Sequence, residues 1–349
     1  MLTDDTLKKL ADNNIHAYGS RELLKFERQL SIYFEREYQR WHGNKKHPEE
    51  YGISSFEGEV ADKTSDYESV EHYNNELRLY QAFLDPRFMA YTMADFGATD
   101  ERPEIDGGLS LEQAQIKKFE LIIQRADIRD GQKVLDLGCG FGGFIRYLLE
   151  KFPNIQLTGI NPSTVQAQYI KDRSRNSNRL NIIDHYIDQI EHGIIADGYF
   201  DRVISIGVLE HISNLDALFE HIAPMLKTGG KCLHHIIVSR DTIPQFLSAE
   251  DTMMAEYFPG GHIWPYEEMR RHDRHLKFVD SWFINGMNYW KTLDEWHRNL
   301  WQSLDDIYPS HLAMKELDHW NRYFSLSKAM FIADKGRSYG NAHYLFEKR

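Results

Sequence analysis

The stretch VLDLGCGFGG, residues 134–143, constrains the fold of this chain more than any other feature. An apolar run ends in Asp136, and four glycines follow within the next seven residues. A glycine-rich turn after a strand lets the backbone approach a bound nucleotide closely, because glycine has no side chain and tolerates left-handed backbone angles. We therefore expect a nucleotide-like ligand at the end of this strand.

Strand and helix patterns alternate on both sides of this loop. Strands joined by helices predict an α/β protein with a doubly wound, parallel sheet and right-handed crossovers. Such sheets bind ligands at the carboxyl ends of their strands, where Gly138, Asn161, Asp188, Glu210 and His235 fall. The predicted strands are residues 133–138, 155–160, 180–187, 200–209 and 230–238, and the helices between them are residues 141–152, 163–176 and 215–226.

We divide the chain into three parts. Residues 1–70 form a helical N-terminal segment, residues 71–240 form the ligand-binding core, and residues 241–349 form a cap of aromatic-rich helices with closing strands of the sheet. Within the core, a helix over 109–126 precedes the first strand. Ser110 is placed to cap this helix, and Gln113 occupies the capping-box position.

Composition excludes several classes of partner. The net charge of −12, from 53 acidic and 41 basic residues, disfavours binding to a nucleic-acid backbone. No apolar run approaches the roughly 20 residues that span a bilayer, so membrane contact is at most peripheral, near Arg270 and Arg271. Two cysteines give no disulfide framework and no zinc-ligand spacing, so we expect a cytoplasmic protein without a bound metal.

A glycine loop alone does not distinguish a dinucleotide from S-adenosylmethionine. Asp136 would repel a pyrophosphate but suits the cationic amino acid end of S-adenosylmethionine. Asn161 stands where a nicotinamide enzyme would place its ribose-binding acid. Glu210 and His211 close the fourth strand in a position suited to catalysis. These residues favour S-adenosylmethionine, with Asp188 as a candidate for the adenine edge or as an ordinary loop acid.

Several ordered motifs resemble one known family. The chain is similar to the cyclopropane fatty acid synthase family of S-adenosylmethionine-dependent transferases, which includes lipid cyclopropane synthases and coclaurine-type N-methyltransferases. This resemblance implies a class I methyltransferase (Rossmann-like) fold with a helical N-terminal segment and a helical cap. The matching motifs include VLDLGCGFGG, GINPSTVQ (159–166), GVLEHIS (207–213), LHHIIVS (233–239) and YFPGG (257–261).

The resemblance also implies roles for particular residues. Tyr91 and Thr92 match a pair that contacts the cofactor, and Gln166 matches a cofactor-loop position together with Gly138 and Gly140. Glu210 and His211 match a pair thought to be catalytic in the N-methyltransferases. The positions that hold bicarbonate in the cyclopropane enzymes are Glu210, His235, Ile237 and Tyr323. Bicarbonate is therefore a second small ligand to consider.

Structural roles remain open for several of these residues. Glu210 could bond nearby helix ends, His211 could be a structural histidine, and Tyr323 could belong to the core. His234 and His235 are neighbours on a strand, so they point to opposite faces and at most one serves the site. The family position favours His235.

The acceptor stays open between two branches. Met93 replaces the cysteine of the bicarbonate site, which weakens the argument for cyclopropanation. Gly207 replaces an extra acid of the N-methyltransferases, as in the lipid enzymes. The first hypothesis is methyl or methylene transfer to an unsaturated acyl or lipid-like acceptor, and the second is N-methylation of an aromatic or alkaloid-like amine. The partner is then a small-molecule or lipid substrate, and a homodimer is one open arrangement.

Overall fold

A mixed sheet organises the chain. The structure is a computed structural model that describes residues 3–47, 50, 77–105, 107–173, 177–186, 195–243 and 261–349. The strands are β1 (Lys133–Leu137), β2 (Gln156–Ile160), β3 (Leu180–Ile183), β4 (Phe200–Ile206), β5 (Leu226–Ser239), β6 (Trp264–Pro265), β7 (Lys277–Asn285) and β8 (Tyr339–Glu347). Their order is β3-β2-β1-β4-β5-β8-β7, with β6 paired to the end of β5.

The sheet is parallel through its first five strands, as the alternation predicted. β1 lies between β2 and β4, so the chain winds outward to β3 and then returns to the other side of β1. β8 runs antiparallel between β5 and β7. The sequence pattern indicated closing strands but did not indicate that β8 runs antiparallel to its neighbours. The order of the strands reverses between β1 and β4, where this type of sheet binds ligands.

Ten α-helices flank the sheet within the described residues. The predicted capping box is confirmed, because Ser110 accepts from the Gln113 N–H at 3.2 Å and the Gln113 side chain accepts from the Ser110 N–H at 2.9 Å. The helices are α1 (Asp4–Asp12), α2 (Arg21–Trp41), α3 (Leu77–Phe83), α4 (Leu111–Ala126), α5 (Gly143–Lys151), α6 (Thr164–Arg173), α7 (Leu215–Ile222), α8 (Met287–Gln302), α9 (Leu304–Ile307) and α10 (Met314–Ile332).

Helices α8 and α10, called the roof here, pack together with the N-terminal helices. Leu10 of α1 and Phe34 of α2 belong to the same buried hydrophobic cluster as Trp296 of the roof. An ion pair also joins the two ends of the chain, since Lys328 lies 2.7 Å from Glu27 with its side chain 4% exposed. The N-terminal segment therefore supports the roof from outside.

Several sequence-based predictions were wrong. The strand predicted over 180–187 ends at Ile183. β4 ends at Ile206 instead of residue 209, because Gly207 takes a φ of 70° and Leu209–His211 form a 3-10 turn. The sequence pattern also predicts a strand over residues 278–289, but this strand ends at Asn285, and Gly286 is the N-cap of α8. The sequence pattern further predicts a helix after the loop that ends at residue 265. The structure has only a 3-10 turn there, Glu268–Arg271, because β7 begins six residues later. Among the helices that the structure describes, none combines the length and the hydropathy of a membrane-spanning segment.

Candidate active site

Two adjoining cavities open at the carboxyl ends of β1, β2 and β4. The first, called the crevice, lies over the glycine loop and holds about 1160 Å³ of empty space, which includes open solvent. The second, called the chamber, lies between the 3-10 turn after β4 and the roof and holds about 770 Å³, measured in the same way. The residues that line both cavities, and so mark their junction, are Tyr91, Thr92, Gly207 and His211.

The glycine loop forms the floor of the crevice. Gly138 has a φ of 68°, and a Cβ at this position would collide with the Val208 side chain. Gly140 has a φ of 53° and nothing within 4 Å of the place a Cβ would occupy. The first glycine is therefore required by space and backbone, and the second keeps the floor open. The N-terminus of α5 follows and carries the positive end of the helix dipole.

Asp136 lies buried at the end of β1 beneath the crevice. Its Oδ2 has no hydrogen-bond partner among the residues that the structure describes. Burial raises the pKa of Asp136, and the nearby charge of Lys118 opposes that shift. Lys118 is itself 1% exposed, and burial lowers its pKa while Asp85 and Asp136 oppose this. A buried carboxylate with an unused oxygen is suited to bind a cationic group of a ligand.

Asn161 and Gln166 hold the far wall of the crevice. The Asn161 amide donates to Gly140 O at 2.8 Å and to Gln166 Oε1 at 3.2 Å. Its oxygen accepts from the Ser163 N–H at 3.0 Å. Asn161 therefore ties the glycine loop to the start of α6, while both side chains still line the crevice. Asp188, the predicted adenine contact, lies outside the described residues.

Tyr91 and Thr92 belong to an irregular segment that separates the two cavities. The side chain of Gln115 donates to Ala90 O at 3.3 Å and to Thr92 O at 3.0 Å, and Lys118 Nζ donates to Thr92 Oγ1 at 2.7 Å. Helix α4 thus fixes this segment from behind. Met93, which stands at the expected cysteine position, is fully buried and turns toward the chamber.

Glu210 lies on the 3-10 turn and faces the chamber. Its Oε1 accepts from the Ile237 N–H at 2.8 Å, which fixes the carboxyl group against β5. Its Oε2 is buried and makes no hydrogen bond within the described ranges. Burial raises the pKa of Glu210 to about 7, and the bond from Ile237 opposes the shift. A carboxyl group with this pKa can accept a proton near neutral pH.

The histidines of the site take different positions. His211 lines both cavities beside Glu210. His235 points into the chamber from β5, and its ring lies 3.0 Å from Asn341 and 2.8 Å from His343. His234 points to the other face, where it lies 2.7 Å from Ser205 Oγ and stacks on a phenylalanine. The alternation of the strand therefore separates the pair.

Tyr323 and other aromatic side chains form the roof side of the chamber. The Tyr323 hydroxyl lies 3.4 Å from the hydroxyl of Tyr91, so it sits near the junction of the two cavities. Tyr289 and Phe331 line the same wall, with ring centroids 4.4 Å apart. Burial raises the pKa of Tyr323 to about 12, so this hydroxyl stays protonated at neutral pH. Aromatic faces of this kind suit a flat or cationic ligand.

Sequence reasoning missed Lys118, His262 and Asn341. Lys118 had a usable signal, because it falls between the buried residues Ala114 and Ile122 at helical spacing. His262 donates from its backbone to Glu210 O at 2.7 Å and lines the chamber. Asn341 lies on β8, opposite Ile237 on β5. Only the pairing of distant strands brings it to the site.

Comparisons with known proteins agree on one family. The family model described as Mycolic acid cyclopropane synthetase matches residues 61–337. The chain is 29% identical over 253 residues to an (S)-coclaurine N-methyltransferase of Thalictrum flavum subsp. glaucum, covering 69% of this chain and 70% of the relative. It is 27% identical over 243 residues to the cyclopropane-fatty-acyl-phospholipid synthase of Escherichia coli (strain K12), covering 68% of this chain and 58% of that enzyme.

Solved structures share the fold. The crystal structure of a coclaurine N-methyltransferase bound to N-methylheliamine and SAH superposes with a TM-score of 0.81 at 21% identity, covering 99% of both chains. A cyclopropane synthase of Mycobacterium tuberculosis superposes with a TM-score of 0.69 at 20% identity, covering 81% of this chain and 98% of that one. The first superposition includes the N-terminal helices, since it extends over nearly the whole chain.

Proposed function

The chain belongs to the mycolic acid cyclopropane synthetase family and is an S-adenosylmethionine-dependent methyltransferase of class I fold, and we propose that it methylates the nitrogen of a small amine. One observation carries this choice of acceptor. The Oε2 atom of Glu210 makes no hydrogen bond to any described residue. Glu210 lines a chamber of aromatic side chains, directly beside the junction with the crevice. An amine needs such a group to take up its proton or to hold its positive charge.

The crevice fits S-adenosylmethionine. Asp136 offers an unused buried oxygen for the cationic amino group, and the α5 N-terminus faces the place of the carboxylate. Asn161, Gln166 and the Tyr91-Thr92 pair supply the remaining polar walls. When bound, S-adenosylmethionine supplies an electrophilic methyl group on a positively charged sulfur. The shared residues of the two cavities then let that methyl group meet an acceptor in the chamber.

The residues of the chamber handle the proton. An ammonium ion entering the chamber meets the aromatic walls and the Glu210 carboxylate, both of which attract cations. Glu210 accepts one proton through Oε2, which leaves a neutral amine with a lone pair. That lone pair forms the N–C bond while the C–S bond breaks and its electron pair stays on sulfur. Tyr91, Thr92 and His211 line the junction and hold the nitrogen in line for this step.

Bicarbonate does not fit the chamber well. The Ile237 N–H already donates to Glu210, and both ring nitrogens of His235 lie within hydrogen-bond distance of protein groups. Met93 offers only a thioether where the family has a thiol. No step here is therefore assigned to bicarbonate.

Methyl transfer to an unsaturated acyl chain is the second candidate. The family match and the 27% identity to a phospholipid cyclopropane synthase favour it. Such a chain must reach the junction from outside. The guanidinium group of Arg270, the predicted headgroup anchor, instead lies 2.9 Å from the Glu267 carboxylate and donates to Ser281 Oγ at 3.1 Å. Ser281 belongs to β7, at the edge of the sheet. This placement favours the smaller acceptor.

A labelling experiment separates the two acceptors. The protein is incubated with methyl-labelled S-adenosylmethionine and either a panel of secondary aromatic amines or vesicles of unsaturated phospholipid, and the products are analysed by mass spectrometry. We expect label in one or more amines. The variant Glu220→Gln changes an exposed acid on α7, away from both cavities, and should label the same amines as the wild type. Label in the lipid alone would overturn the amine proposal.

We further propose a cytoplasmic enzyme that binds no nucleic acid and meets membranes at most peripherally. The net charge of −12 supports the absence of nucleic-acid binding. A homodimer remains a proposal as well, and light scattering after size-exclusion chromatography measures it directly.

A further inference from the structure

A chain of hydrogen-bonding groups runs from the outer surface to the chamber. Arg125, on α4, lies 2.8 Å from His343 Nδ1 on β8. His343 Nε2 lies 2.8 Å from His235 Nδ1, and His235 Nε2 lies 3.0 Å from the side-chain amide of Asn341. Both histidines are fully buried, and Asn341 is 2% exposed. These four residues are called the relay here.

Arg125 sets the direction of the relay. A guanidinium group only donates hydrogen bonds, so His343 Nδ1 must accept and must therefore be unprotonated. The neutral His343 then carries its proton on Nε2 and donates to His235 Nδ1. His235 in turn carries its proton on Nε2 and donates toward Asn341. Burial lowers the pKa of both histidines well below the usual value and keeps the rings neutral. In each ring, therefore, one nitrogen donates and the other accepts.

The last bond fixes the Asn341 amide. With its nitrogen facing His235 Nε2, two donors would oppose each other, and Asn341 Oδ1 would stay buried without a hydrogen bond to any described residue. Oxygen and nitrogen of an amide have nearly the same shape, so the hydrogen-bond network decides between them. The arrangement consistent with Arg125 turns the amide over. Its oxygen then accepts from His235, and its NH2 group takes the position of the unbonded Oδ1, in a side chain that lines the chamber.

We propose that Asn341 is a specificity-determining residue, whose NH2 group binds an oxygen atom on the same acceptor molecule that carries the reacting nitrogen. This inference rests on the proposed amine methylation and names its substrate class: an amine that also bears an ether, hydroxyl or carbonyl oxygen. Asn341 faces Ile237 across the β5–β8 pair, and Ile237 bonds Glu210. The chamber therefore presents a fixed donor on the same strand pair that holds its proton acceptor.

The direction of the relay can be measured without any acceptor. In protein labelled with 15N at histidine, the ring nitrogen shifts identify which nitrogen of each neutral ring carries the proton. His235→Gln and His343→Gln assign the two signals. We expect both rings as the Nε2–H form between pH 6 and 8, and the Nδ1–H form of either ring would overturn the proposal. Because no acceptor is present, this measurement holds even if the amine methylation fails.

Changing Arg125 tests the cause of the direction. Arg125→Met removes the donor, so the relay can run either way, and we expect a mixture of ring forms. Lys117→Met is the matched control, because Lys117 lines the same outer groove and pairs with Asp95 at 3.2 Å without touching the relay. Unchanged ring forms in Arg125→Met would contradict the proposal, as would a shift of equal size in the control.

The substrate class is tested with a matched pair of amines, N-methylbenzylamine and its 3-methoxy derivative. Asn341→Leu keeps a similar volume and removes the donor without adding a charge, so we expect the KM of the methoxy amine to rise roughly tenfold with a smaller change in kcat. The KM of the plain amine should change less than twofold. Affinity for S-adenosylhomocysteine, measured by calorimetry, reports whether the variant is folded. Equal losses for the two amines in a folded variant would refute the assigned role of Asn341.

Discussion

The crevice and the chamber lie side by side, but they are built in different ways. The crevice is made mainly from consecutive short segments, each at the end of a parallel strand, such as residues 136–143 and 160–166. The chamber collects single residues and short runs between Tyr91 and Asn341, from strand pairs and roof helices far apart in the sequence. Local rules therefore determine the crevice, while the tertiary fold determines the chamber.

The two cavities also differ in what surrounds their buried carboxyl groups. In the crevice, burial raises the pKa of Asp136 to about 8, although the nearby charge of Lys118 opposes the shift. In the chamber, burial raises the pKa of Glu210 to about 7, and only backbone N–H groups oppose the shift. A cationic group of a ligand in the crevice would favour the charged form of Asp136, while Glu210 is suited to exchange a proton near neutral pH.

The largest expected effect separates catalysis from cofactor binding. We expect Glu210→Gln to lower kcat by roughly 10²-fold or more, because a positioned base contributes about 10²–10⁴-fold. Affinity for S-adenosylhomocysteine should stay within about twofold by calorimetry, as Glu210 belongs to the chamber alone. If kcat and the affinity for S-adenosylhomocysteine fell together, the distinction between the two cavities would be contradicted.

The pH profile of the same residue sharpens this point. Glu210 must be ionised to take a proton, so kcat/KM of the wild type should rise with pH to a break near 7 and then level off. In Glu210→Gln only the free amine reacts, and kcat/KM should keep rising toward the amine's own pKa. A break near 7 that persists in the variant would assign it to another group.

Gly138→Ala should produce the next largest effect, on the crevice. The new Cβ would collide with the Val208 side chain, and alanine is strained at a φ of 68°, so the loop must move. We expect affinity for S-adenosylhomocysteine to fall roughly 10- to 100-fold, since a strain of about 1–3 kcal/mol falls on the bound loop. Gly131→Ala, at a turn with a φ of 80° and open space, is the control for backbone strain alone. Equal affinity losses in the two variants would place the effect outside the crevice.

Lys118→Met should have a smaller effect with a defined pH dependence. Without the Lys118 charge the pKa of Asp136 rises further, so the carboxylate that we propose for binding the cofactor's amino group forms only at higher pH. We expect roughly tenfold weaker binding of S-adenosylhomocysteine at pH 7, since one unit of pKa corresponds to a tenfold change. The deficit should shrink at pH 9. A deficit that is constant with pH would show that Lys118 acts by packing.

The smallest functional effect is expected at the N-terminal support of the roof. Glu27→Gln weakens the pair with the buried Lys328, at 2.7 Å, and leaves Asp294 at 3.4 Å as the nearest acid. We expect the free energy of unfolding to fall by about 2 kcal/mol, less than for a fully buried pair. Binding of S-adenosylhomocysteine should not change. Weaker cofactor binding would mean that the N-terminal helices act on the crevice as well.

The sequence predicted the parallel core and its order of elements because strands, helices and caps are local patterns. The α4 capping box and the glycine loop are examples, since every atom involved lies within a few residues. The direction of β8 and the partners of His235 could not be predicted in this way. His343 and Asn341 are more than 100 residues from His235, and only strand pairing brings them together.

A crystal structure with both S-adenosylhomocysteine and a secondary aromatic amine bound would show whether the crevice delivers the methyl group to the chamber. We expect the sulfur at the junction marked by Tyr91 and Gly207, with the amine nitrogen in the chamber bonded to Glu210 Oε2. An amine bound away from Glu210, or a sulfur directed away from the chamber, would contradict the proposed methyl transfer.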